Sequence, residues 1–174
     1  MIKIYTDGSC LGNPGAGGWA AVLVDEKNRR EEIFGGEAHT TNNRMELTAA
    51  IRALEKISPG QSVELFTDSS YLKNAFTNGW LAKWKRNGFN NGRVLNQDLW
   101  QELDNLVATR AVNFNWVKGH AGNFFNERCD QLARSTAEKF QQKKFEPPKK
   151  IFRPKKISQP KKIPPRGQLS LFDF

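Results

Sequence analysis

The sequence predicts an α/β fold, a mixed sheet with helices packed on it, and three observations lead there. Residues 2–38 hold three short apolar segments separated by polar or glycine-rich turns. Two further segments of strand length, VELF at 63–66 and VNFNWV at 112–117, stand apart from these and from each other. Between and after them run stretches whose apolar residues recur at helical spacing. Strands in close succession pair antiparallel, whereas strands reached through helical crossovers pair parallel, so the order βββ, α, β, α, α, β, α implies a mixed sheet.

Each element has a local reason. Residues 2–5 (IKIY) alternate, residues 18–24 (GWAAVLV) form an apolar run of small residues, and residues 32–38 return antiparallel after the turn DEKNRR. Gly12, Gly15, Gly17 and Gly18 precede the second strand without a following Gly-Lys-Ser/Thr. A flexible hairpin turn therefore explains them better than a phosphate cradle, and no nucleotide cofactor is implied. Asn42 is expected to cap a helix whose face carries Leu47, Ala50, Ile51 and Leu54, and Ser58-Pro59-Gly60 ends it. After the strand at 63–66 comes a short helix near 70–76, then a helix marked by Leu99, Leu103, Leu106 and Val107. The strand at 112–117 leads to a last helix over 127–140, with Leu132, Ala133, Thr136 and Phe140 facing inward. Trp19, Trp100 and Trp116 fall in apolar patterns and are assigned to the core, and Cys129 is read as a packed thiol.

Composition bounds the function. The 174 residues, 38% of them hydrophobic, suffice for one core with an appendage. No run of 18 apolar residues and no signal-peptide pattern occurs, so a protein without a membrane partner is expected. Cys10 and Cys129 lack the spacing of a disulfide framework or a zinc site, which fits a reducing, cytoplasmic setting. The net charge of +9 sits almost wholly in the tail: from Gln141 onward ten Lys or Arg face only Glu146 and Asp173. Six of the eight prolines share that stretch. Residues 141–167 therefore read as an extended cationic tether, either solubilising or in contact with nucleic acid.

Four acids interrupt apolar patterns or end elements, where a solvated carboxylate is out of place. Asp7 follows the first strand and Asp68 the fourth, while Glu46 and Asp130 flank the apolar faces of the first and last helices. A sheet can bring its strand ends together, and each helix can lean a carboxylate toward them. Carboxylates so close repel unless cations lie between them, and all-oxygen donors select Mg²⁺ or Mn²⁺. Two such ions about 3.5–4 Å apart can drive phosphodiester cleavage. Spacing alone leaves helix caps and solvated charges as the ordinary alternative.

The words around these acids decide. TDGSCLGNPG at 6–15, TNNRMEL at 41–47, TDS at 67–69, WVKGHAG at 116–122 and NERCD at 126–130 resemble, in order and spacing, the motifs of bacterial type 1 ribonuclease H over residues 1–140. The resemblance implies the ribonuclease H-like fold, a five-stranded mixed sheet with three antiparallel N-terminal strands and two parallel ones. It implies that Asp7, Glu46, Asp68 and Asp130 bind two Mg²⁺, replaceable by Mn²⁺, and that the RNA strand of RNA/DNA hybrids is cut to 5′-phosphate and 3′-hydroxyl ends. His120, in a glycine-flanked loop, would otherwise pass as a solvated loop residue; the resemblance assigns it to proton transfer or product release.

Family positions that read the hybrid's minor groove match Cys10, Asn13, Asn42 and Asn43, where small and amide groups approach the 2′-hydroxyls closely. Thr41 falls near the DNA phosphate pocket. The segment 79–93 interleaves Trp80, Trp84 and Phe89 with Lys83, Lys85, Arg86 and Arg93 and resembles the family's basic protrusion. Trp80 matches its groove position, whereas Trp84, one helical turn on, can equally enter the core. Two departures stand out: Ser70 occupies a position where many relatives carry Gln, and the protrusion is less densely basic than some.

Beyond the tether, residues 168–174 form an apolar end. Gln168, Leu169, Leu171 and Phe172 lie in a QLSLF sequence that resembles the pentapeptide by which bacterial proteins bind the sliding clamp. The organisation expected is a catalytic domain at 1–140, a tether at 141–167 and a docking peptide at 168–174, in a monomer. The competing readings are a DNA-cutting nuclease of the same broad fold and a hybrid-binding module without catalysis.

Overall fold

The computed structural model describes residues 1–145 apart from residue 120. Thus His120, nearly all of the tether and the four clamp-motif residues Gln168, Leu169, Leu171 and Phe172 lie outside the described residues. Five strands form one sheet in the order β3-β2-β1-β4-β5. They are β1 (Ile2–Leu11), β2 (Gly15–Val24), β3 (Arg30–Thr40), β4 (Ser62–Thr67) and β5 (Ala111–Trp116). The first three are antiparallel neighbours, and β1–β4 and β4–β5 are parallel, as expected.

The β1–β2 ladder runs nine pairs, from Lys3↔Val24 to Leu11↔Ala16, but β1–β4 pairing stops at Thr6↔Thr67. Asp7 is therefore inside β1, opposite Ala20, rather than beyond its end as the sequence suggested. Hairpin pairing with β2 keeps the chain extended after β4 has turned away.

Helix α1 (Asn42–Glu55) starts one residue earlier than expected: Thr41, extended at φ −127°, accepts the Arg44 N–H on its hydroxyl at 3.4 Å and is the cap in place of Asn42. The helix ends at Glu55, before Ser58-Pro59-Gly60. Its apolar face, with Leu47, Ala50, Ile51 and Leu54 all buried, packs on the sheet beneath α5 (Gln97–Ala108). This face of the sheet also gathers Ile4, Leu65, Leu72, Trp100 and Leu103.

Between β4 and α5 the chain forms α2 (Ser70–Thr77) and two short helices, α3 (Trp80–Arg86) and α4 (Gly88–Gly92). Gly79 in the left-handed region (φ 66°) reverses the chain between α2 and α3. Trp84 takes the core option, its ring 5.5 Å from the wholly buried Trp100, while Trp80 stays 38% exposed.

Helix α6 (Phe124–Phe145) covers β1, β2 and β3 on the opposite face, its Cys129 and Ala133 packed with Tyr5, Ala20 and Val22. Gly18 permits the approach, since a Cβ there would stand 2.1 Å from the Ala133 carbonyl oxygen. The helix continues five residues past 140, into the span expected to be extended. Gln and Lys are good helix formers, and the first proline arrives only at 147. Of the tryptophans assigned to the core, Trp100 is buried and Trp19 partly so, but Trp116 is 48% exposed. It is the last residue of β5.

Candidate active site

Three of the carboxylates meet where β4 ends beside the middle of β1. Asp7 sits in β1, Asp68 directly after β4, and Glu46 on the second turn of α1. Helix α1 reaches β1 because residue 8 is glycine: a Cβ there would stand 2.3 Å from the Glu46 backbone nitrogen. One oxygen from each of the three carboxylates lies within 4.8 Å of the others, although Asp7 and Glu46 are buried. Asp130, half-buried on α6, falls outside that tight trio, yet its charge acts on Asp7.

Each acid of the trio is held by a specific donor. The Gly8 N–H donates to Asp7 Oδ1 at 2.8 Å. Asn42 Nδ2 donates to Glu46 Oε1 at 3.5 Å, whereas Glu46 Oε2 is buried without a hydrogen-bond partner. Asn126 Nδ2 donates to Asp68 Oδ2 at 3.1 Å, and the Trp116 indole N–H to the Asp68 carbonyl at 3.3 Å. Asn126, only 2% exposed, was missed in the sequence; its place one helical turn before Asp130 was the available signal.

The electrostatics follow. Burial, then the charges of Asp68 and Asp130, push the Asp7 carboxyl up to about 8 against the pull of the Gly8 N–H. Burial and the neighbouring Asp7 and Asp68 raise Glu46 well above the ordinary carboxylate range. Three acids brought together, Asp7 and Glu46 of them buried and Glu46 with a bare buried oxygen, form a group that could hold a cation. The donor set is all oxygen, which fits Mg²⁺ or Mn²⁺ rather than zinc. Cys129 beside them is a packed thiol: its S–H donates to the Tyr5 carbonyl at 3.2 Å, and burial pushes its pKa up.

The other residues singled out in the sequence fall into two groups. Near the start of α1, the backbone N–H of Asn42 donates to Asn13 Oδ1 at 3.2 Å, and Cys10 bonds the Gly12 and Thr40 carbonyls at 2.7 and 3.4 Å. Thr41 caps the same helix and Asn43 is exposed on it. Arg44, not expected, forms a forked pair with Asp98 at 3.1 and 2.9 Å, which ties this end of α1 to α5. Ser70 is exposed at the start of α2. Farther out, Trp80, Lys83 and Trp84 line a cleft of about 540 Å³ with Asn87 and Val94. The basic series of α3 does not act as one patch: Lys85 is paired with Asp104 at 2.6 Å and, with Arg86, borders a separate cleft between α2, α3 and α5.

Fold and site together point to an enzyme class, the hydrolases whose acidic cluster on a mixed sheet could hold divalent cations. The sequence model of the ribonuclease H (RNase H) family matches residues 1–138, and the chain belongs to this family. A ribonuclease H of Neisseria gonorrhoeae is 53% identical over 142 residues, which covers 80% of this chain and 97% of that protein. Among solved structures, LC9 ribonuclease H1, a type 1 enzyme with the type 2 active-site motif, superposes with a TM-score of 0.70 at 33% identity, covering 79% of this chain and 72% of its own. LC11 ribonuclease H1, solved in complex with an RNA/DNA hybrid, gives a TM-score of 0.57 at 27% identity and covers 80% and 98%. The protein is thus a ribonuclease H, and cleavage of RNA/DNA hybrids is the general activity of its family. Among the described residues no helix is long and apolar enough to cross a membrane.

Proposed function

We propose that this chain is an endonuclease that cleaves the RNA strand of RNA/DNA hybrids, with Asp7, Glu46, Asp68 and Asp130 holding two Mg²⁺, for which Mn²⁺ can substitute. The observation that carries this is the trio of carboxylates within 4.8 Å, with Glu46 Oε2 buried and unpartnered. When bound, the cations supply activation of water and stabilisation of the leaving oxygen, which gives 5′-phosphate and 3′-hydroxyl products. The chain's own part is orientation: Gly8, Asn42 and Asn126 fix the carboxylates from three elements. His120 handles the proton or the departing product.

Reading the hybrid falls to Cys10, Asn13, Asn42, Asn43 and Ser70 in the minor groove, with Thr41 near a DNA phosphate. Trp80 and Lys83 meet the DNA strand beside the cleft that Trp84 also lines, while Lys85 and Arg86 lie on the neighbouring cleft and add charge to the protrusion. The free cysteines suit a cytoplasmic monomer. The test is a labelled hybrid with and without metal. RNA is expected to be cut only with Mg²⁺ or Mn²⁺, duplex DNA to be spared, and a single ribonucleotide within DNA to be cut poorly. Robust cutting in excess chelator, or equal cutting of DNA, refutes the assignment.

The QLSLF sequence favours a second role, recruitment of the enzyme to a bacterial sliding clamp through Gln168, Leu169, Leu171 and Phe172. Residues 141–167 are the tether between the catalytic domain at 1–140 and the peptide at 168–174. Docking of this kind raises local concentration and leaves the active site alone. Calorimetry of the full chain with a purified clamp is expected to show binding, and replacing Leu171 and Phe172 by Ala to remove it while short free hybrids are cut as before. An affinity indifferent to the double replacement rejects this role.

A further inference from the structure

We infer that Lys73 and Trp116 form a backbone-phosphate contact for the strand lying in the carboxylate cleft, on the α2 side of Asp68. This rests on the proposed hybrid cleavage. Side chains alternate along β5, so Phe114 and Trp116 share a face. Phe114 is used in packing, stacked on Phe76 of α2 with centroids 4.0 Å apart. Trp116 lies one step nearer the site and is half exposed, so packing does not account for it.

What holds the indole in place is polar. Its N–H donates to the Asp68 carbonyl, and the Lys73 ammonium stands 4.9 Å from the ring centroid. The pair is therefore fixed to the main chain of a residue in the acidic trio. Several other cations of the domain are neutralised, Arg44 by Asp98, Lys85 by Asp104 and Arg128 by Glu32. Among the described residues Lys73 has no carboxylate partner, only the ring face. A cation held by a ring keeps its capacity to pair with a phosphate, and the ring offers a surface to a sugar. Asp68 binds at the point of cleavage, so the phosphate met here belongs to a neighbouring nucleotide of the same strand.

The test measures hybrid affinity of the full chain against salt concentration in chelator, then steady-state kinetics with Mg²⁺. Each phosphate contact contributes about 0.9 to the slope of log affinity against log salt. Lys73→Gln is expected to lower that slope by about 0.9 and to raise KM roughly three- to tenfold, with a smaller effect on kcat. Lys73→Arg restores the slope, and Trp116→Ala loses it as Lys73→Gln does. An unchanged slope and KM for Lys73→Gln, with the unsubstituted protein cutting hybrid normally, overturns the contact and leaves the proposed function standing. Failure of the unsubstituted protein to cut hybrid refutes the function itself.

Discussion

Asp7→Asn is expected to reduce hybrid cleavage by more than about 10³-fold and, in the same preparation, to raise the melting temperature of the metal-free protein. On the proposed function, the first effect follows from removing one charged ligand of a shared cation site, which the amide matches in shape but not in charge. Hybrid affinity stays measurable, because the groove contacts near Asn13, Asn42 and Trp80 are untouched. The second effect follows from electrostatics. In the folded protein the Asp7 carboxyl is raised to about 8 by burial and by Asp68 and Asp130. Its unfolded value is about 3.9, so the folded state binds the proton more tightly. The stability linked to this group is full below about pH 4 and is lost as pH rises through about 8.

At neutral pH without metal, Asp7 therefore opposes folding. Replacing it is expected to gain about 1–2 kcal/mol, roughly 3–6 °C in Tm, and to flatten the decline of stability between about pH 4 and 8. Mg²⁺ should stabilise the unsubstituted protein and do so much less for the variant. Calorimetric scans across pH in chelator, repeated with Mg²⁺, check these signs. A variant that melts lower at every pH, or that cuts hybrid at the original rate, contradicts the account of the site.

Gly8→Ala is expected to be nearly as damaging for a steric reason. The added Cβ would lie 2.3 Å from the Glu46 nitrogen and 2.5 Å from the Met45 carbonyl carbon. Both are backbone atoms in the interior of α1, so no side chain can swing aside, and α1 must lift from β1. Lifting it costs about 2–4 kcal/mol of packing. It also separates Glu46 from Asp7, and displacing a catalytic group by about 1 Å can cost roughly 10²-fold in rate. Both losses are read from one preparation, by denaturant unfolding and by hybrid cleavage. Unchanged stability would mean that helix and strand are not in the contact described.

Much of this was legible in the sequence because it rests on local rules. Apolar periodicity placed all five strands and the main helices, the order of elements implied a mixed sheet, and the family resemblance supplied which strands run parallel. The acids stood out as charges at positions where apolar or capping residues are the norm, and the motif words around them carried the family. Boundaries were less legible, for stated reasons. Thr41 displaced Asn42 as the cap because the extended strand β3 feeds directly into α1. The last helix outran its expected end because only the proline at 147 forbids it.

Tertiary structure alone decided the rest. That Asp7 lies within a strand depends on β2 continuing the ladder past the end of β4. That Trp84 turns inward while Trp80 does not, and that Lys85 is spent on Asp104, depends on how α3 lies against α5. The bond from the Trp116 indole to Asp68 and the support of Asp68 by Asn126 are relations between residues 48 and 58 positions apart in the chain. A sequence fixes which groups are available through short-range sterics and periodicity. Which of them meet, and hence how far a carboxyl is raised, is settled only when distant elements exclude water together.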